Sequence, residues 1–176
     1  MEKIKSSAER YGKRLGALFA VSGGVTALCI AIETLLGAFA FLGVSHPESV
    51  LDAVKTHVFG SVEYKISVFL LAALTIFICA RYMRTQNRCG AIRYALVTLA
   101  VREGTVLASD TGHYALRLLG LDGGVNTLVS PDGYLIRMAE PLLSVISGAV
   151  VTAFSVAYLC AFFASFGGCS DDDKAL

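Results

Sequence analysis

Apolar residues come in four long blocks separated by short polar stretches. Leu15 to Val44 is interrupted only by Glu33, Val62 to Met83 has an uncharged heart at Ile66–Ala80, and Pro141 to Phe166 carries no charge at all. The remaining block, within CGAIRYALVTLAVREGTVLASD from Cys89 to Asp110, holds Arg102 and Glu103 side by side. A helix needs about 20 residues to cross about 30 Å of hydrocarbon, and each block reaches or approaches that length. The pattern predicts an all-α membrane protein, a four-span helix bundle with spans at about 15–44, 62–83, 91–109 and 141–166. Residues 1–14 form a flank, 45–61 and 110–140 are outer loops, and 167–176 is an acidic tail.

The third block decides the count. Central Arg and Glu each cost about 2.5–3.5 kcal/mol on insertion, whereas Leu, Val and Ile return only about 0.3–0.6 kcal/mol apiece. Alone, the segment would hover at the interface, so a polar partner is required. Glu33 is available: counting about 1.5 Å per residue, Leu18 to Glu33 and Gly90 to Arg102 both rise about 20 Å from the inner boundary. The sequence therefore predicts an intramembrane polar set of Glu33, Arg102 and Glu103. Glu103 projects about 100° from Arg102 around the helix, toward a second polar partner or the outer water. The alternative keeps 89–140 in the cytoplasm and has three spans, which would also retain Arg117 and Arg137 inside.

Charge placement orients the chain. Lys3, Lys5, Arg10, Lys13 and Arg14 precede the first block, and Arg81, Arg84, Arg88 and Arg93 surround the junction of the second and third. Both clusters mark the cytoplasmic side, so the N-terminus is inside. Composition agrees: 55% of the 176 residues are apolar and 16% are charged, more apolar surface than one soluble core of this size could bury. A net charge of +1 argues against a nucleic-acid partner, which would require a concentrated basic surface. Ala38-Phe39-Ala40 has the form of a signal cleavage site, but the block is too long for a signal and contains Glu33.

Small residues mark packing faces. Gly12, Gly16, Ala20 and Gly24 recur every four positions, with Gly23, Ala27 and Ala31 beside them. The last block carries Ala149, Ala153, Ala157, Ala161 and Ser165, flanked by Ser144, Gly148 and Thr152. Such strips let another backbone approach closely. The lipid bilayer is the first partner expected, and self-association into a homo-oligomer through the last helix is the second.

Chemistry-bearing patterns are sparse. No H-E-x-x-H, G-x-S-x-G or Gly-Lys phosphate loop is present, so no catalytic residue, cofactor or metal is assigned and the expected role is non-enzymatic. Cys29, Cys79, Cys89, Cys160 and Cys169 form no Cys-x-x-Cys pair and read mainly as small apolar residues. His46 and His57 are too far apart to share one helix face. Ser45-His46-Pro47-Glu48 begins a predicted short amphipathic surface helix. Gly112, Gly120, Asp122-Gly123-Gly124 and Ser130-Pro131-Asp132-Gly133 are turn signals, and turn-forming Asp is a better account of Asp110, His113, Asp122 and Asp132 than a metal site is. Glu33, Arg102 and Glu103 could alternatively line the path of an ion or small-solute channel or transporter subunit, since intramembrane ionisable groups are functional candidates.

One family shares this layout. Ile92-Arg93-Tyr94, an apolar run, the embedded Arg102, aliphatics to Leu107 and a closing Asp110 resemble the third helix of the phosphate-starvation-inducible E (PsiE) family. The preceding helix ending in Arg81-Tyr82-Met83 and the last one opened by Pro141-Leu142-Leu143 extend the resemblance over 62–110 and 140–162. Cys89-Gly90-Ala91 stand where the family usually has Pro and His, and the outer loop before the last helix is longer. The resemblance implies a four-span inner-membrane protein with both ends cytoplasmic, and the role expected of the chain is structural or stress-related.

Overall fold

The computed structural model describes residues 2–41, 54–85, 90–118 and 131–167. Among these the chain is helical, with no strand. Helix α1 is Glu2–Phe41, a π-helical turn spans Val54–Phe59, and α2 is Val62–Thr85, α3 Gly90–Leu118 and α4 Pro131–Ala164. Ser61 starts α2: its hydroxyl accepts from the Tyr64 amide at 3.2 Å, satisfying one of the free N–H groups of the first turn. The predicted surface helix at Ser45 falls largely outside the described residues, and its described remainder is the π-helical turn. Three segments are long and apolar enough to cross a membrane: Ser6–Phe39, Val62–Thr85 and Leu142–Ala164. Helix α3 has 29 residues, about 43 Å, but Arg93, Arg102, Glu103, Asp110 and Arg117 leave it outside that group.

Two boundaries differ from the sequence expectation. Gly112 lies within α3 rather than in a turn, and α4 begins at Pro131, so Pro141 is inside a helix rather than at its start. Gly112 has a packing reason to be there, because a Cβ at that position would come within 2.9 Å of a methyl of Leu143. Pro131 exploits the first helical turn, where no N–H partner is needed.

The chain divides into two compact units, Met1–Ala100 with Ser155–Leu176, and Val101–Phe154. The first is built on antiparallel packing of α1 and α2. Buried positions on α1 are Leu15, Phe19, Ser22, Thr26 and Ile30, and on α2 Val68, Ala72, Thr75 and Cys79. Both sets step by three and four residues, the seam that lets side chains of neighbouring helices interdigitate at a shallow angle. At its middle the hydroxyls of Thr26 and Thr75 meet at 3.1 Å, and either can donate. Thr26 can also donate to the Ser22 carbonyl, and Thr75 to that of Leu71, so the oxygens stay satisfied in an apolar setting.

The start of α3 and the end of α4 complete this core. Ile92, Ala95 and Leu99 are buried, and the Cys79 thiol donates to the Ile92 carbonyl at 3.8 Å. From α4, Tyr158, Ala161 and Phe162 join the same cluster. Phe162 meets Phe19 edge to face with centroids 5.8 Å apart. That approach depends on Gly23, where a Cβ would lie 2.7 Å from the Phe162 ring. On α1, Gly16 lies under the Tyr82 ring, Gly24 faces Phe162 and Ala20 is half-buried.

The second unit contains the rest of α3 and α4 as far as Phe154. Beside the approach of Gly112 to Leu143, its interhelical contacts include polar ones: Ser109 Oγ donates to Ser147 Oγ at 3.1 Å, and His113 Nε2 lies 3.0 Å from Ser144 Oγ.

Candidate functional site

Arg102 and Glu103 continue the inward face of α3. Ile92, Ala95, Leu99 and Arg102 step by three, four and three, so the helical period that buries apolar residues early in the helix also buries the charge. Arg102 is 3% exposed and Glu103 5%. The Nη1 group of Arg102 donates to Oε1 of Glu103, forming a buried ion pair between sequence neighbours. Glu103 therefore does not face the outer water, as the 100° offset allowed. The arginine's long, flexible stem spans the angle between the two positions, and burial strengthens the attraction that holds it. The pair is neutral as a unit, which removes much of the cost of taking either charge out of water.

Glu33 occupies a different setting. It is half-buried on the inward face of α1, one turn beyond Cys29, and both interact electrostatically with the Tyr64 phenol at the start of α2. The Tyr64 oxygen is buried and has no well-aligned hydrogen bond among the described residues. Tyr64 also stacks edge to face on Phe59 at 4.7 Å between centroids. Its role was not legible from sequence, because a tyrosine at the head of an apolar helix has the pattern of any interfacial aromatic. Glu33 and Arg102 belong to separate units.

A second polar group pairs residues that the sequence reading kept apart, His113 and Ser144. His113 Nδ1 lies 2.8 Å from the Ser109 carbonyl, which can only accept, so the neutral ring carries its proton on Nδ1. Nε2 then accepts from the Ser144 hydroxyl. The signal was present in the spacing: Ser109 and His113 are four apart on α3, and Ser144 and Ser147 three apart on α4. Chemically this is a serine and imidazole in hydrogen-bonding register, but Ser144 is within a continuous helix whose N–H groups are engaged in the helix. It offers no adjacent pair of free donors to stabilise an oxyanion.

The remaining predicted packing residues are distributed unevenly. Gly148, Ala149 and Ala153 are exposed, Ala157 is half-buried and Ala161 buried. A Cβ on Gly148 would meet nothing within 4 Å. Among the described residues no group of three or more His, Cys, Asp or Glu is arranged to hold a metal ion. Cys29, Cys79 and Cys160 are free thiols, and Cys89 and Cys169 lie outside the described residues. No family model, curated protein or solved structure matches the chain.

Proposed function

We propose that the protein is a small integral membrane helix bundle with a non-enzymatic, structural or stress-related role, built on four spans in the cell inner membrane with its N-terminus cytoplasmic. The observation that carries this reading is the outward face. On α1, Leu18, Val21, Val25, Leu28, Ile32 and Leu35 are exposed at steps of three and four, and Val21 is 68% exposed. Phe77 on α2 and Val145 on α4 are exposed to 66% and 69%. A helix apolar on both faces suits lipid outside and protein inside, whereas water would penalise such patches.

Alternating directions of α1 and α2 support spanning, and the buried neutral pair on α3 reduces the cost of a fourth crossing. The resemblance to the PsiE family agrees with that layout. In this reading Arg102–Glu103 is internal glue. Sedimentation of the protein with membranes after alkaline carbonate washing, and its release by detergent, is the direct test; recovery in the soluble fraction would overturn it.

A second reading is favoured by the polar residues on α3 and α4. Arg102, Glu103, Ser109 and His113 follow one another along α3, as the lining of a channel or transporter subunit would. Ion flux into liposomes containing the purified protein, compared with Glu33→Gln and Glu103→Gln variants, separates the two. Flux abolished by these changes supports the path, and no flux above empty vesicles supports glue.

A further inference from the structure

The antiparallel packing of α1 and α2 brings the start of one beside the end of the other. Tyr11 and Arg81 demonstrate it: the arginine Nε donates to the tyrosine hydroxyl at 3.3 Å. One turn along, the Tyr82 ring lies 3.5 Å from a Cβ position on Gly16. The hydrogen bond between Cys79 and Ile92 brings the start of α3 to the same end of the unit. Three helices therefore deliver Arg10, Lys13, Arg14, Arg81, Arg84 and Arg93 to one end, all exposed.

Acidic residues do little to offset them. Lys13 pairs with Glu9 at 3.0 Å in an exposed i,i+4 bridge, a contact of small energy in water. Residues 1–14 and 81–93 hold nine Lys and Arg against Glu2 and Glu9, whereas the rest of the chain has six against twelve Asp and Glu. The tail Asp171-Asp172-Asp173 follows α4 but is too short in charge to cancel seven.

Tyrosines mark the depth. Tyr11 is 43% exposed, Tyr94 is 59% exposed and Tyr82 is half-buried, all within about a turn of the arginines. Exposed tyrosine at the end of an apolar span belongs at the headgroup level, where its ring is in hydrocarbon and its hydroxyl in water. At that level the most abundant anion is lipid phosphate, and guanidinium forks match its oxygens. Orientation by positive charge requires only a net excess on one side. Five arginines from three helices converging at tyrosine depth make a defined surface.

We propose that this end of the first unit binds anionic phospholipid headgroups, with Arg81 and Arg84 of α2 and Arg10 and Arg14 of α1 engaging the phosphates. The inference rests on the membrane reading above. Retention in membranes after carbonate washing tests that reading first, so a failure there is separable from a failure here.

The experiment is thermal unfolding of the full chain in mild detergent, with phosphatidylglycerol or phosphatidylcholine added at equal mole ratio and low salt. Phosphatidylglycerol should raise the midpoint by about 2–4 °C more than phosphatidylcholine. The difference should disappear in R81Q/R84Q and at high salt, and should persist in K65Q at the opposite end of α2. Because these arginines are exposed, their substitution leaves the buried seam intact; R10Q/R14Q provides an independent variant pair if the first is poorly folded. Equal shifts with both lipids, an advantage retained in both arginine variants, or full replacement of the lipid effect by inorganic phosphate would each overturn the proposal.

Discussion

The hydroxyl of Tyr158 donates to the carbonyl of Gly23 at 3.2 Å, so this bulky polar side chain near the end of α4 is satisfied by α1's backbone. Tyr158 is 1% exposed. The bond is available because Gly23 has no side chain to hold the two helices apart. Gly23→Ala should therefore destabilise by about 1–3 kcal/mol through overpacking against Phe162. Tyr158→Phe should cost about 0.5–1.5 kcal/mol. Thermal unfolding in detergent measures both, with Gly148→Ala as a change expected to be neutral or slightly stabilising.

The proposed pairing of Glu33 with Arg102 is open to a double-mutant cycle. Glu33→Gln and Arg102→Gln should each destabilise, and the double change should cost less than their sum if the two charges are coupled. Strict additivity would leave Arg102 satisfied without Glu33. Arg102→Gln should also be more damaging than an exposed change such as Arg93→Gln, because it removes the positive charge from a buried ion pair, at a cost of about 3–5 kcal/mol.

Cys169 reports the topology. With four spans the tail shares the side of the N-terminus, so a membrane-impermeant maleimide added to intact cells should leave Cys169 unlabelled until the membrane is opened. Labelling from outside would require three spans.

The imidazole and hydroxyl of His113 and Ser144 form a structural clamp. His113→Ala should cost about 1 kcal/mol in stability. A fluorophosphonate probe should not label Ser144, since a nucleophile without oxyanion donors gains little from its base. Covalent modification at Ser144 would instead establish an enzyme.

Ala153→Leu should reduce oligomer size if the exposed Gly148, Ala149 and Ala153 face a second copy. Light scattering in mild detergent reads the mass directly, and an unchanged mass would assign that face to lipid.

Apolar runs at 15–44, 62–83 and 141–166 were readable because lipid and core both select the same residues, so every position in a span votes the same way. Boundaries were harder. Gly112 and Pro141 carry strong turn statistics, but Gly112 serves a close approach to Leu143 and the helix extends through both. The burial of both Arg102 and Glu103 was illegible because adjacent residues point about 100° apart on an ideal helix. Side-chain reach then decided the outcome. The surroundings of Tyr64 and the pairing of Ser144 with His113 were not legible since the partners lie on other helices, and no local spacing encodes that distance.

The seam of α3 changes character at Arg102, from apolar before it to charged after it, and this bears on how the chain is made. A nascent segment so divided gains little from lipid by itself, and α4, uncharged only from Pro141 onward, is synthesised later. In the four-span reading biogenesis should then proceed out of strict sequence order: α1 and α2 commit first, and α3 settles only when its polar half finds α4. In a cell this interval is the vulnerable one, in which a quality-control protease that recognises polar residues in membrane helices would meet the unfinished protein.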